Sequence, residues 1–251
     1  MRKRKTLWVR GCLLAVLACA ACVPSWAQAQ GNIRTVLFVK VKMGQEETWK
    51  SMVKEFAALD KKAGTDQGFT VWDSESGPDE HAVVWYSSTW KDLGEEDPKM
   101  KPFAAERASL FARLDTVTDS LETWIDEMQP DLMIRSENIP PMVRVARTKV
   151  LAGKMDEVRA IFRDQIVPAM KKAGVTDYGV GVARYGTPSN EFHTYMGMNG
   201  WGDLDGPVGT AKGMSPAEYK AFLAKISALI ESTEWSLWKY QPDISYIPPA
   251  K

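Results

Sequence analysis

Apolar residues recur along this chain with two periods, one typical of strands and one typical of helices. Alternating apolar and polar residues, rich in β-branched and aromatic types, predict eight strands. The predicted strands span residues 36–42, 68–73, 82–88, 122–128, 143–150, 178–185, 192–199 and 234–240. Gln-Pro-Asp follows the fourth and the eighth strand, and its proline ends the ladder because proline has no amide hydrogen to donate.

Apolar residues at helical spacing predict four helices. Their apolar faces are Trp49, Met52, Val53, Phe56 and Leu59; Phe103, Leu110, Phe111 and Leu114; Met155, Val158, Phe162, Ile166 and Met170; and Tyr219, Phe222, Leu223, Ile226 and Ile230. Ser215 and Glu218 form a capping box at the start of the fourth helix. Gly64 and Gly174 stand where the first and third helices need left-handed C-caps.

The third helix is predicted to be irregular. Phe56 and Phe162 are 106 positions apart, whereas the two capping glycines are 110 apart. We therefore expect about four extra residues, or roughly one helical turn, and a kink or break beside Pro168.

The two halves of the chain repeat the same elements in the same order. Gln129 and Gln241 open the two Gln-Pro-Asp phrases 112 positions apart, Trp90 and Trp201 are 111 apart, and Lys-Lys-Ala-Gly occurs at 61–64 and 171–174. This collinear series predicts a tandem duplication of a β-α-β-β-α-β unit, the ferredoxin-like arrangement. Both helices of such a unit cover one sheet face, so we expect an α+β fold in which two copies pack sheet to sheet as an intramolecular α+β barrel.

The predicted boundaries are residues 1–29 for an export signal, 30–137 for the first repeat and 138–251 for the second. The signal has basic residues at 2–5, an apolar stretch at 13–21 and a small-x-small cleavage site at Ala27 and Ala29. We therefore expect a periplasmic or secreted protein. A lipoprotein anchor at Cys19 is the alternative.

Removal of the signal changes the composition. All three cysteines lie within it, so the mature chain would have no thiol for a disulfide, a metal site or a nucleophile. It would carry 27 basic and 32 acidic residues, a net charge of −5 that argues against a nucleic-acid partner. No later apolar run reaches the roughly 20 residues that cross a membrane. The pattern favours a soluble exported protein, and whether it forms a homo-oligomer stays open.

The third strand of each half runs into Trp-x-x-Leu, as HAVVWYSSTWKDL at 81–93 and FHTYMGMNGWGDL at 192–204. With the duplicated unit, this pattern resembles the dimeric α+β barrel superfamily, which includes antibiotic-biosynthesis-monooxygenase-like, NIPSNAP-like and EthD-type proteins. The resemblance implies the barrel and an interior pocket. It implies no single activity, because the superfamily contains cofactor-free oxygenases, haem enzymes and isomerase-like proteins.

The two histidines of the chain are predicted to point to opposite faces of their sheets. His81 and His193 are 112 positions apart, one more than the neighbouring pairs, and a strand alternates faces at each residue. A symmetric two-histidine metal site is therefore not expected, and neither a metal nor a cofactor is predicted. Trp90 and Trp201 are interpreted as core residues that pack the ends of their third strands.

Candidate site residues concentrate in the second half. Period-two counting turns His193, Tyr195 and Asn199 toward the shared interior, where they are candidate catalytic residues. The candidate ligand-binding residues are Tyr86, Arg184 and Trp238. The basic residues at 40, 42, 147 and 149 are interpreted as charges that protect edge strands from pairing with other chains. Alternatively, they attract an anionic ligand to the mouth of the barrel.

Two functions stay open on these residues. The first is an exported barrel of unassigned activity that binds a small aromatic or amphipathic ligand inside. The second is a cofactor-free monooxygenase or isomerase-like enzyme with His193 as the base. A haem protein similar to chlorite dismutase is a weaker alternative, because such proteins present the axial histidine from a helix and neither histidine here lies in a predicted helix.

Overall fold

The computed structural model describes residues 31–249. The predicted export signal and the three cysteines lie outside those residues. The strands are β1 (Ile33–Val41), β2 (Thr70–Ser74), β3 (His81–Ser87), β4 (Thr118–Met128), β5 (Met142–Val150), β6 (Tyr178–Tyr185), β7 (Glu191–Met198) and β8 (Ile230–Tyr240). The helices are α1 (Glu46–Ala63), α2 (Ala104–Val117), α3 (Met155–Ile161), α4 (Val167–Lys172), α5 (Thr210–Gly213) and α6 (Pro216–Ser227).

Local signals place most of these boundaries. Ser215 accepts a hydrogen bond from the backbone of Glu218, whose side chain reaches back to Ser215, so the predicted capping box is present. Gly64 caps α1 with a left-handed backbone. The strands β4 and β8 each begin four residues earlier than predicted. Their first residues are mostly exposed, so no apolar alternation marks them in the sequence.

The third predicted helix is irregular beside Pro168, but its predicted insertion is wrong. A π-helical turn, Phe162–Ile166, lies between α3 and α4. The three segments together cover residues 155–172, which is 18 residues, the same length as α1. Pro168 has no amide hydrogen to donate to the carbonyl four residues back, so one wide turn replaces regular bonding there.

The eight strands form one closed antiparallel barrel in the order β1-β3-β2-β8-β5-β7-β6-β4. In each half the first strand lies centrally, β1 between β3 and β4 and β5 between β7 and β8. The pairs β2–β8 and β4–β6 join the halves. The interpretation of the basic residues on β1 and β5 as edge protection is therefore wrong, because both strands are paired on both sides.

Strand alternation separates two kinds of core. Helices pack on the outer face of the barrel, where Val158, Phe162 and Phe192 belong to the largest apolar cluster. The inner face has its own cluster, which includes Phe38 and Trp238. None of the helices in the described part of the chain is long and apolar enough to cross a membrane.

The assignment of Trp90 and Trp201 to the core is wrong. Their side chains are 44% and 52% exposed. Each stands at a short 3₁₀ turn after its third strand, and Trp90 makes an edge contact with Tyr185 at 5.7 Å between ring centroids. Beyond the end of a strand the period-two pattern no longer decides which way a side chain points, so a large apolar residue there need not be buried.

Candidate functional site

The barrel interior contains a cavity of about 80 Å³. One water needs roughly 15 Å³ of such space, so the cavity could take roughly five waters or a ligand of about one ring. Most of its wall is apolar. The apolar lining residues are Val36, Phe38, Trp72, Ala82, Val84, Trp124, Ile139, Pro140, Val143, Val145 and Trp238.

Four polar side chains, Arg34, Tyr86, Asp177 and Tyr195, interact with one another on the cavity wall and form what we call the polar cluster. Burial raises the pKa of Tyr195 well above its ordinary value, and its polar neighbours Tyr86 and Asp177 add to this. Burial also raises the pKa of Tyr86, although the positive charge of Arg34 partly opposes the shift. Both phenols are therefore neutral near pH 7.

The hydroxyl of Tyr195 is buried and, within residues 31–249, has no hydrogen-bond partner at ordinary distance and angle. Tyr86 is near enough for a weak hydrogen bond with it outside that geometry, and the Arg34 guanidinium lies 5.5 Å from the centre of the Tyr195 ring. Leaving a buried hydroxyl unsatisfied costs about 1–3 kcal/mol. A polar group that enters the cavity could remove that cost.

Asp177 precedes β6 and is almost fully buried at the cavity wall. Burial raises the pKa of its carboxyl to about 7, although a hydrogen bond with the backbone of Ser136 partly opposes the shift. The carboxyl can therefore gain or lose a proton close to neutral pH. This is the property expected of a general acid or base.

A chain of ion-paired and hydrogen-bonded side chains, most of them buried, supports the polar cluster. Arg34 donates to one oxygen of Asp126 at 2.7 Å, and the other oxygen lies 2.7 Å from Nδ1 of His193. Nε2 of His193 lies 3.1 Å from Glu191, which also accepts from Arg147 at 3.2 Å. Burial alone would raise the pKa of Asp126, but Arg34 and His193 outweigh it and hold that pKa below its ordinary value.

Glycine on β6 makes this chain of contacts sterically accessible. Arg34 and Asp126 face each other on the paired strands β1 and β4. His193 lies on β7, with β6 between it and Asp126, and pairs there with Gly181. A β-carbon at Gly181 would approach that of Asp126 to 2.9 Å. At Gly179 it would approach the Tyr195 ring to 2.1 Å.

The structure brings together four of the six candidate residues. His193, Tyr195, Tyr86 and Trp238 all line the cavity. Asn199 does not, because it is exposed at the end of β7, where its backbone amide donates to Asp203 at 2.7 Å. Period-two counting fails there because the strand ends at Met198.

Arg184 also lies away from the cavity. It is exposed and donates to Glu127 at 2.8 Å. The predicted opposite orientation of the two histidines is confirmed. Unlike the inward His193, His81 stacks on Trp49 of α1, with 4.2 Å between ring centroids. Within residues 31–249, no group of three or more His, Cys, Asp or Glu side chains is arranged to hold a metal ion.

Sequence reasoning missed Arg34, Asp126, Asp177 and Glu191. Arg34 has a usable signal, because Val36 and Phe38 line the cavity and Arg34 shares their face by alternation. Asp126 has the same signal, because it lies two residues after Trp124, which lines the cavity. Asp177 lies outside any strand, where no periodicity applies, so its position on the cavity wall is visible only in the structure.

No protein-family model matches the chain, and no curated protein matches it in sequence. Solved structures share its fold. A "putative monooxygenase" from Lactobacillus acidophilus NCFM superposes with a TM-score of 0.61 at 10% identity, covering 87% of this chain and 97% of that one. A "putative monooxygenase" from Fusobacterium nucleatum gives 0.61 at 14% identity, covering 87% and 95%.

A mutant chlorite dismutase from Candidatus Nitrospira defluvii superposes with a TM-score of 0.51 at 11% identity, covering 86% of this chain and 94% of that one. At such identities the likeness concerns the fold. The chain thus has a mixed α+β barrel fold similar to that of proteins named as monooxygenases and chlorite dismutases.

Proposed function

We propose that this protein binds a small, single-ring aromatic or amphipathic ligand inside the barrel. The observation that carries the proposal is the buried Tyr195 hydroxyl, which faces a mostly apolar cavity and, among residues 31–249, has no hydrogen-bond partner at ordinary distance and angle. Apolar walls with a few convergent polar groups are typical of ligand pockets. The ring of the ligand would lie among Phe38, Trp72 and Trp238, and its polar group would meet Tyr195 and Asp177.

Calorimetric titration with 4-methylphenol and toluene tests this proposal. Tyr195→Phe removes only the hydroxyl, so it should weaken 4-methylphenol binding about tenfold and leave toluene binding unchanged. Ala82→Leu should abolish binding of both by filling the cavity. Tyr178→Phe is the matched control, because Tyr178 is buried on the outer side of the barrel. If Tyr195→Phe binds 4-methylphenol as tightly as the wild type, or neither probe saturates the wild type, the proposal is wrong.

The second candidate function is a cofactor-free monooxygenase or isomerase-like enzyme, favoured by the cavity-facing Asp177 with its pKa near 7. Neither ring nitrogen of His193 is free to meet a substrate, because both already lie against carboxylates. Asp177 would accept the substrate proton instead, while His193, Asp126 and Arg34 hold the wall in place. In an oxygenase, molecular oxygen would be the oxidant.

Oxygen uptake and product formation with hydroquinone, followed from pH 5 to 9, test this second function. Turnover should rise as Asp177 ionises through about pH 7, and Asp177→Asn should abolish it. If Asp177→Asn keeps its turnover and His193→Gln loses it, the base is His193 and not Asp177. Binding without turnover in every case leaves the ligand-binding function alone.

The broader proposals concern origin and location. We infer a tandem duplication of two ferredoxin-like units within the dimeric α+β barrel superfamily, supported by the repeated element order and the equivalent strand orders of the halves. Export to the periplasm or medium is supported by the pattern of residues 1–29. Cell fractionation with N-terminal sequencing of the mature protein tests export. Light scattering tests whether the barrel forms a homo-oligomer.

A further inference from the structure

A second polar site lies on the outer face of the barrel. Val143 and Val145 line the interior cavity, so Arg144 between them points to the opposite face of β5. There its guanidinium carbon lies 3.7 Å from the centre of the Trp235 ring on β8. Both residues line an open groove of about 330 Å³ that is separate from the interior cavity.

Arg144 differs from most of the other arginines in its partners. Of the nine arginines in residues 31–249, seven form an ion pair with a carboxylate, and Arg144 does not. It is partly buried all the same. Burial lowers its pKa, and the neighbouring Tyr219, rather than a carboxylate, partly opposes the shift. A partly desolvated guanidinium without an anion has unused capacity for a bidentate partner.

The remaining walls of the groove are apolar except for Ser76 and Ser236, whose hydroxyls already accept hydrogen bonds from Leu237 and Trp238. Leu204 and Val208 come from the glycine-rich segment that follows β7, and Leu237 lies beside Arg144 on the neighbouring strand. Trp235 is 57% exposed, so its ring offers apolar area to the groove. A ligand that fits this surface needs an anionic head for Arg144 and an apolar body for the walls.

We propose that the groove formed by Arg144, Trp235 and Leu204 binds a small organic monocarboxylate with an apolar body, such as an aromatic or short-chain acid. The carboxylate accepts two parallel hydrogen bonds from the planar guanidinium. The apolar body packs against Leu204, Val208 and Leu237. This site is independent of the function proposed for the barrel interior.

NMR titration with benzoate tests the site. Binding is followed by the indole N–H signal of Trp235, which is assigned as the signal that disappears in Trp235→Phe. Benzoate should shift this signal saturably, whereas benzamide, its neutral analogue, should bind far more weakly. Arg144→Gln should reduce benzoate affinity at least about tenfold because it removes the charge-assisted pair. Arg163→Gln is the matched control, since Arg163 is exposed and already paired with Asp164.

Several outcomes would overturn the proposal. The proposal is wrong if neither benzoate nor hexanoate saturates the wild type. It is also wrong if Arg144→Gln binds benzoate as tightly as the wild type does, or if benzamide binds the wild type as tightly as benzoate does. Benzoate binding that is lost in Tyr195→Phe and kept in Arg144→Gln would assign it to the interior cavity instead. If Arg144→Gln does not fold, Trp235→Ala takes its place, because Trp235 is exposed and its loss should weaken benzoate binding by removing one wall.

Discussion

Replacement of Asp177 by Asn should make the protein more stable, and more so at high pH. The folded-state pKa of Asp177 is about 7, whereas that of an unperturbed Asp side chain is 3.8. In the folded protein the carboxyl therefore keeps its proton between about pH 4 and 7, while in the unfolded chain it ionises. The folded state binds more protons over that window, so stability falls as the pH rises.

The magnitude follows from the difference between the two pKa values. At about 1.36 kcal/mol per pKa unit, the stability lost through Asp177 is about 1.7 kcal/mol at pH 5 and about 4 kcal/mol at pH 8. Asn has nearly the same shape and no charge. Asp177→Asn should therefore gain about 2–3 kcal/mol more at pH 8 than at pH 5, relative to the wild type.

Urea denaturation of both proteins at pH 5 and pH 8 measures this difference. Asp115→Asn changes an exposed carboxyl in the same way and serves as the control. An equal effect of Asp177→Asn at the two pH values would refute the argument that burial holds this carboxyl protonated. A variant less stable at pH 8 than the wild type would show that Asp177 is stabilised as an anion.

Three further changes test the packing around the site, each by urea denaturation. Gly179→Ala should lower the free energy of unfolding by about 1–3 kcal/mol, because the added methyl group clashes with the Tyr195 ring. Gly206→Ala has open space around it and should change the stability little. Asp126→Asn should cost about 3–5 kcal/mol because it leaves the buried Arg34 guanidinium without its carboxylate, whereas Glu55→Gln, in an exposed pair, should change little. Ser215→Ala should cost about 1 kcal/mol by removing a helix cap, and an unchanged unfolding midpoint would contradict that role.

The fold was largely predictable because its signals are local. Strand alternation located all eight strands, and a capping box or a left-handed glycine placed helix ends at Ser215 and Gly64. Errors arose where the local rule stops applying. The first four residues of β4 and of β8 are mostly polar and exposed, and Trp90, Trp201 and Asn199 lie beyond the ends of their strands.

The candidate site was predicted in part. Alternation along β7 turned His193 and Tyr195 inward, and both line the cavity. The same rule could have placed Arg34 and Asp126, but it contains no information on which inward residues meet. Their contact depends on the pairing of β1 with β4, positions 92 residues apart in the chain.

By itself, the sequence determined the order of the elements and the alternation of faces along each strand, because those depend on periods of two and 3.6 residues along the chain. Tertiary structure alone decided the rest. Closure of the barrel brings Asp126 and His193 together across Gly181, and it buries Asp177 enough to raise its pKa to about 7. Desolvation and side-chain contact are properties of what surrounds a residue in space, and no pattern of neighbours along the chain specifies them.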